Sequence, residues 1–346
     1  MHRQPIHPRL SFGDVVTGVD LARPLDADAW ATIEAAFIQR GVLVFKEQSH
    51  LTIEQQHAFA SRWGHMEGHG AIPILPISNV RKSGHTLLTE GTAAYMNLQG
   101  NEGWHIDNTY QPRAAKVGIL RAAVLPSGGS QTGFCDGWDA YDALDLETRR
   151  KIQGMSAYHS GLYSQAKLGQ NPAGATIDAP APGGIYLARA YLRPLVKKHP
   201  TTSRCGLTIG RHAFGIPGLS SVAADELLSG LLRFAAAEPT RTYYHQWEIG
   251  DLVIWDNRRM LHRACPYPAD EPRIFHGNRI GGDESEAALN AIDSAPGQAA
   301  LDAELRRVAA DPALVERELR LRAYFDTHIP QSYSGGGMSA ASTARL

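Results

Sequence analysis

After residue 115 the chain breaks into short apolar runs separated by turn residues: KVGILRAAVL, PSGGSQTGF, GGIYLARAYLRPLV and RTYYHQWEIGDLVIWD. Runs of this length and spacing suit an antiparallel sandwich or a jelly roll. Helical patterns flank them. In DADAWATIEAAFIQRG, Asp26 stands as N-cap, apolar residues recur at Trp30, Ile33, Phe37 and Ile38, and Gly41 follows where a helix would stop. GVLVFK (41–46) comes directly after as a buried strand, and Thr52 with Gln55 forms a capping box before a second helix that ends at Gly64. SSVAADELLSGLLRFAAAE (220–238) has helical periodicity and is expected outside the sheet. A further helical extension is expected over about 298–326, interrupted at ADPA (310–313), with its charges on a solvated face. Residues 331–346 lack apolar content and are expected to form a disordered tail. With no internal repeat and no linker, 1–330 is expected to be a single domain.

Composition narrows the function class. A net charge of -1 supplies no global field that would draw the chain to nucleic acid or to an anionic membrane. Cys135, Cys205 and Cys265 are widely spaced and make no CxxC, which fits a reducing compartment better than a disulfide framework. The N-terminus lacks an apolar signal-like segment, and no apolar run approaches the roughly eighteen residues a membrane span needs. A cytoplasmic protein with a small-molecule ligand is the expectation.

One stretch points to chemistry. GNEGWHIDNTY (100–110) places His105 and Asp107 one residue apart. With 15 histidines in the chain, a His-x-Asp arises by chance alone, so the pair needs support. In an extended segment residues i and i+2 point to the same side, so both side chains can face one ion; on a helix they would splay apart. An imidazole and a carboxylate suit a divalent transition metal, with a third ligand from elsewhere. His262, in WEIGDLVIWDNRRMLHRACPYPADEPRIFHGNRIGGD (247–283), is the best candidate. Arg273 follows behind a Pro-containing loop, where its guanidinium can grip a carboxylate through two parallel hydrogen bonds.

Together, His105-x-Asp107, His262 and Arg273 resemble the Fe(II)- and 2-oxoglutarate-dependent dioxygenases of the taurine dioxygenase and 2,4-dichlorophenoxyacetate dioxygenase family. GDLVIWDNRRMLHRA is similar to that family's segment around the distal histidine, and LPSGGSQTGF resembles its Gly-Gly-x-Thr segment with one extra residue. The resemblance runs from about residue 10 to about residue 283. It implies a mainly β fold with flanking helices around a double-stranded β-helix, or jelly-roll, core. His105, Asp107 and His262 would hold Fe(II), while Thr132 and Arg273 would hold the far carboxylate of 2-oxoglutarate. Dioxygen and 2-oxoglutarate would be consumed with release of succinate and CO2 as a small organic molecule is hydroxylated. Related halogenases lack the carboxylate ligand, and Asp107 argues against that chemistry. His69 and Asn101 match positions that commonly touch substrate, and a dimer or tetramer is expected by analogy.

One departure bears on substrate. Members that cleave sulfonates and aryloxyacids carry a second arginine four residues after the first, and that position is Gly277. Strand alternation puts Arg273, Phe275, Gly277 and Arg279 on one face. The expectation is that Gly277 opens space, that Arg279 is a replacement substrate contact, and that the substrate is neither taurine nor a simple phenoxyacid. The segments 78–97 and 159–170 are expected as lids. Desaturation, epoxidation or cyclisation of a natural product would begin from the same chemistry as hydroxylation. From other classes, a metallohydrolase would not need Arg273, and a non-catalytic jelly-roll binding protein would not need the ligand set.

Overall fold

Residues 1–67, 75–81, 84, 86–170, 174–180, 185–291 and 295–329 are described by a computed structural model. In chain order the elements are β1 (His2–Pro5), β2 (Asp14–Thr17), α1 (Ala27–Arg40), β3 (Val42–Phe45), α2 (Ile53–Ser61), β4 (Leu75–Ser78), α3 (Ala93–Gly100), β5 (Ala115–Val124), β6 (Thr132–Asp136), α4 (Gly137–Ala143), α5 (Leu146–Ile152), β7 (Ser156–His159), α6 (Gly161–Ala166), β8 (Tyr191–Pro194), β9 (Val196–Lys198), β10 (Cys205–Leu207), β11 (Ala213–Phe214), α7 (Ser221–Ala236), β12 (Thr242–His245), β13 (Leu252–Asp256), β14 (Met260–Ala264), β15 (Ile274–Gly281), α8 (Ala295–Ala310) and α9 (Pro312–Thr327).

Local signals set several of these boundaries. The Asp26 side chain accepts from the Ala29 amide to start α1, and Gly41 ends it in the left-handed region at φ 72°. The Thr52–Gln55 capping box is complete at the start of α2. Ser220 caps α7. The C-terminal extension is two helices, because Asp311 caps α9 and Pro312 cannot continue α8. Among the described residues, the run 183–196 is strand at β8 and again at Val196, where β9 begins, and the run beginning at Arg241 divides into β12 and β13 around Gly250 at φ 94°. The expected tail, 331–346, lies outside the described residues.

A seven-stranded sheet of order β1-β2-β3-β13-β5-β15-β4 and a three-stranded sheet of order β12-β6-β14 form the jelly-roll core. Val44, Leu120, Val253 and Phe275 of the larger sheet meet Phe134, Tyr243 and Met260 of the smaller in a shared apolar layer. Burying each of these side chains is worth about 1.5–3 kcal/mol. On its other face the larger sheet packs Leu43, Ile119, Ile254 and Ile280 against Ile33 and Phe37 of α1 and Phe59 of α2. Strand β13 is buried on both faces, so LVIW reads as a continuous apolar run instead of alternating. The other face of the smaller sheet packs Cys135, Tyr244 and Leu261 against Leu228 and Leu231 of α7 and Phe325 of α9. Among the described residues no helix is long and apolar enough to cross a membrane, and all three cysteines are free thiols.

Candidate active site

His262 sits within β14, whose alternation sends Met260 and His262 toward the inter-sheet layer and Leu261 and Arg263 away from it. His105 lies in an extended segment after α3. The His105 amide donates to the His262 carbonyl at 2.9 Å, and the His262 amide donates back to the His105 carbonyl at 2.8 Å. Their rings stand 4.2 Å apart, and the Trp255 ring is 4.8 Å from that of His262. Asp107 projects to the same side as His105, as the i, i+2 spacing requires. Its carboxylate oxygens lie 3.8 Å from His105 Nε2 and 3.6 Å from His262 Nε2. One donor atom from each of the three residues falls within 4.8 Å of the others, and all three residues are buried.

Electrostatics leave this donor set with one negative charge at neutral pH. Burial pushes both imidazoles down, His262 to about 4 and His105 well below its ordinary value, so both are neutral. Burial alone would raise the Asp107 carboxyl; Arg279, His262 and His105 outweigh it and hold it at about 2. His105 Nδ1 lies 2.8 Å from the Gly103 carbonyl, an acceptor, so Nδ1 carries the proton and Nε2 keeps its lone pair facing the cluster.

Two further residues fix the carboxylate, and motif reasoning gave neither this role. Asn257 Oδ1 accepts from the Asp107 amide at 2.9 Å, while its Nδ2 donates to the Asp107 and Ala115 carbonyls at 3.0 and 2.8 Å. That is the purpose of the asparagine in DNRR, legible only once the fold brings 107 and 257 together. Arg279 donates to Asp107 Oδ1 at 2.8 Å and to Asn108 Oδ1 at 3.2 Å. It lines the cavity, with its guanidinium turned onto the Asp107 carboxylate.

Beside the triad is a cavity of about 230 Å³, lined in part by Leu75, Pro76, Ile77, Tyr110, Leu120, Tyr186, His212, Asn101, Thr132 and Arg273. Arg273 is 2% exposed, and burial lowers its pKa to about 10, which leaves it charged. Its guanidinium donates to Ser130 Oγ at 2.8 Å and lies over the Phe275 ring, yet no carboxylate among the described residues pairs with it. Ser130, another residue the sequence did not flag, adopts φ 69°, and it is part of the extra length in GGSQT. Thr132 Oγ1 accepts from Trp247 Nε1 at 3.0 Å, which orients the hydroxyl. Asn101 lines the cavity, and His69 lies outside the described residues.

The expectation that Gly277 opens space is corrected. A Cβ there would sit 3.2 Å from the Leu75 carbonyl and 3.6 Å from Leu120 Cδ1, so β4 and Leu120 already occupy the room.

Residues 2–280 match the family described as "Taurine catabolism dioxygenase TauD, TfdA family". The chain is 46% identical over 282 residues to the (S)-phenoxypropionate/alpha-ketoglutarate-dioxygenase of Sphingobium herbicidovorans, covering 81% of this chain and 95% of that one. It is 34% identical to the alpha-ketoglutarate-dependent 2,4-dichlorophenoxyacetate dioxygenase of Cupriavidus pinatubonensis, over 76% and 91% of the two chains. Among solved structures, AAD-2 in complex with Mn(II) and N-oxalylglycine superposes with a TM-score of 0.74 at 32% identity, over 83% of this chain and 100% of that one. The chain therefore belongs to the TauD/TfdA family of 2-oxoglutarate-dependent dioxygenases.

Proposed function

We propose that the protein is an Fe(II)- and 2-oxoglutarate-dependent oxygenase that hydroxylates a small, largely apolar organic acid of the aryloxyalkanoate class. One observation carries this reading: a buried two-histidine, one-carboxylate cluster shares a cavity with a buried arginine that lacks an acid partner. Two neutral imidazole nitrogens and one carboxylate oxygen on one side of a cavity are the donor set that suits Fe(II) and leaves coordination positions open. When bound, the metal supplies the activation of dioxygen that couples decarboxylation of 2-oxoglutarate, to succinate and CO2, with oxidation of a substrate C–H bond.

The protein's own residues supply the rest. His105, Asp107 and His262 hold the metal, Asn257 fixes the Asp107 backbone, and Arg279 keeps its carboxylate ionised. Arg273 takes the far carboxylate of 2-oxoglutarate, held in aim by Ser130, and the Thr132 hydroxyl adds a second contact. The apolar walls from Leu75, Ile77 and Leu120 exclude water and fit an aryl or alkyl body, while Asn101, Tyr110 and His212 provide polar contacts. Aryloxyalkanoates come first because two relatives carry phenoxy acids in their names, even though the second arginine of aryloxyacid-cleaving members is absent at Gly277.

The test is turnover by purified protein loaded anaerobically with Fe(II), given 2-oxoglutarate, oxygen and each enantiomer of a 2-aryloxypropionate. Succinate release that rises with substrate consumption is expected. Substrate loss without 2-oxoglutarate or oxygen would overturn the oxygenase reading in favour of a hydrolase, and succinate release unresponsive to every aryloxy acid would overturn the substrate class alone.

A further inference from the structure

The family match ends at residue 280, so α8 and α9 lie beyond it. Helix α8 and the start of α9 pack on Tyr163, Ala190 and Phe214, while the later turns of α9 lie against the segment around His105. Arg322 of α9, 7% exposed, donates through Nη1 to the Gln99 carbonyl at 3.1 Å and through Nη2 to the Gly100 carbonyl at 3.4 Å, in the segment that leads into His105. Asp326 pairs with Arg263, the residue after His262, whose side chain is fully buried. Between them Phe325 packs edge-on to Trp104, with ring centroids 6.1 Å apart. Glu318, one turn before Arg322, pairs with Lys167 at 2.7 Å.

Strand alternation explains the arrangement. The ribbon formed by 101–105 and 262–264 is tied by the exchanged histidine hydrogen bonds and by the Ala264 amide donating to the Asn101 carbonyl at 2.8 Å. Its inner side presents His105 and His262, and its outer side presents Trp104 and Arg263 to α9. The glycines of GNEGWHID belong to the same design. A Cβ at Gly100 would fall 2.4 Å from Arg211 Nη1, and one at Gly103 would fall 3.1 Å from Arg322 Nη2. Two arginines therefore lie directly on the backbone of the ligand-bearing segment, one of them from the appended helix.

We propose that α9 is a positioning element for the metal centre: Arg322 and Asp326 brace the outer side of the ribbon that carries His105 and His262, and so set the separation of those two ligands. This rests on the metal reading given above. The ligand nitrogens and the bracing groups stand on opposite sides of one two-stranded ribbon, so a shift of either strand under α9 changes the ligand geometry directly. Neither Arg322 nor Asp326 touches the cavity; both act through the backbone and through Arg263.

The full-length protein is compared with Arg322→Gln, Arg322→Lys and Asp326→Asn, and with Arg320→Gln as a control that breaks an exposed pair with Glu316 on the same helix. Two quantities are read: Mn(II) affinity in saturating 2-oxoglutarate, by the electron paramagnetic resonance signal of free Mn(II), and the melting temperature of the metal-free protein. Outer partners of metal ligands change affinity by about 10- to 100-fold. Mn(II) binding about tenfold weaker in Arg322→Gln and Asp326→Asn, partly restored in Arg322→Lys and unchanged in Arg320→Gln, is the expected result. Variants that melt earlier yet bind Mn(II) as tightly as the parent make α9 a structural cover only and overturn the proposal. Should Arg322→Gln fail to fold, Asp326→Asn, which alters a partly exposed carboxylate, decides it. A parent protein that binds no Mn(II) overturns the metal reading as well, an outcome distinct from equal binding by all variants.

Discussion

His105 and His262, remote in the chain, exchange both of their backbone hydrogen bonds, at 2.9 and 2.8 Å, so the two imidazoles leave a single antiparallel bridge side by side. Ligand separation is thus a property of main-chain pairing, not of side-chain choice. Replacing either imidazole removes a donor while the bridge survives. His262→Ala is expected to fold, with a melting temperature close to that of the metal-free parent, and to lose Mn(II) binding in a calorimetric titration.

Arg273 is a buried cation without an acid partner among the described residues. Truncating one member of a buried, hydrogen-bonded charge pair costs about 2–5 kcal/mol. Arg273→Ala should therefore raise KM for 2-oxoglutarate by about thirtyfold or more. Arg273→Lys should recover only part of this, since an ammonium cannot make the two parallel bonds. Steady-state succinate release at varied 2-oxoglutarate measures both.

Ser130 holds Arg273 from a left-handed backbone position at φ 69°, which glycine adopts without strain. In Ser130→Gly the relief of strain offsets part of what the lost hydroxyl contributed to stability. The hydrogen bond to a charged group, worth about 1.5–3 kcal/mol, is lost all the same. The expected outcome is a melting temperature near that of the parent with KM for 2-oxoglutarate raised about tenfold or more, read by differential scanning calorimetry and kinetics.

Arg279 holds the Asp107 carboxyl at about 2 against the burial that would raise it. In the parent, acid weakens metal binding first through the histidines, because Asp107 stays ionised to lower pH. Replacing Arg279 with Met removes the counter-charge, so Asp107 takes up a proton at higher pH. Mn(II) affinity should then fall more steeply between pH 7.5 and pH 5 in Arg279→Met than in the parent, whatever its value at pH 7.5.

His159, paired through β7 with β11 and β8, is fully buried with no hydrogen-bond partner on either nitrogen among the described residues, and burial lowers its pKa to about 3. Its folded pKa lies below the unfolded value of 6.5, so the unfolded chain binds the proton more readily. Stability is therefore lost as pH falls from about 6.5 toward about 3, by at most about 1.4 kcal/mol per pH unit. Urea unfolding of His159→Leu should show a shallower decline over that window than the parent.

The sequence made some of this legible and hid the rest for definable reasons. Asp26, Gly41 and the Thr52–Gln55 box were readable because caps act within one turn. Extended spacing puts His105 and Asp107 on one side, but the pair was singled out, with His262 and Arg273, only through the motifs that resemble a known family. The helices α3 to α6 went unread: each has six to eight residues, too short for an apolar stripe, although Thr92, Asp136, Asp145 and Ser160 cap them. Arg279 shows where alternation stops being informative. It fixed the face, but only the packed structure gives Asp107 as the partner. Gly277 failed for the opposite reason, since a missing side chain leaves a space that neighbouring strands are free to close.

The lone guanidinium at position 273 has a consequence for the protein's lifetime. On the proposed reading 2-oxoglutarate pairs with this interior positive charge, which has no acid partner among the described residues, and so stabilises the native form, since whatever binds that form alone does so. Protein held without 2-oxoglutarate is then expected to be the form more readily lost to unfolding.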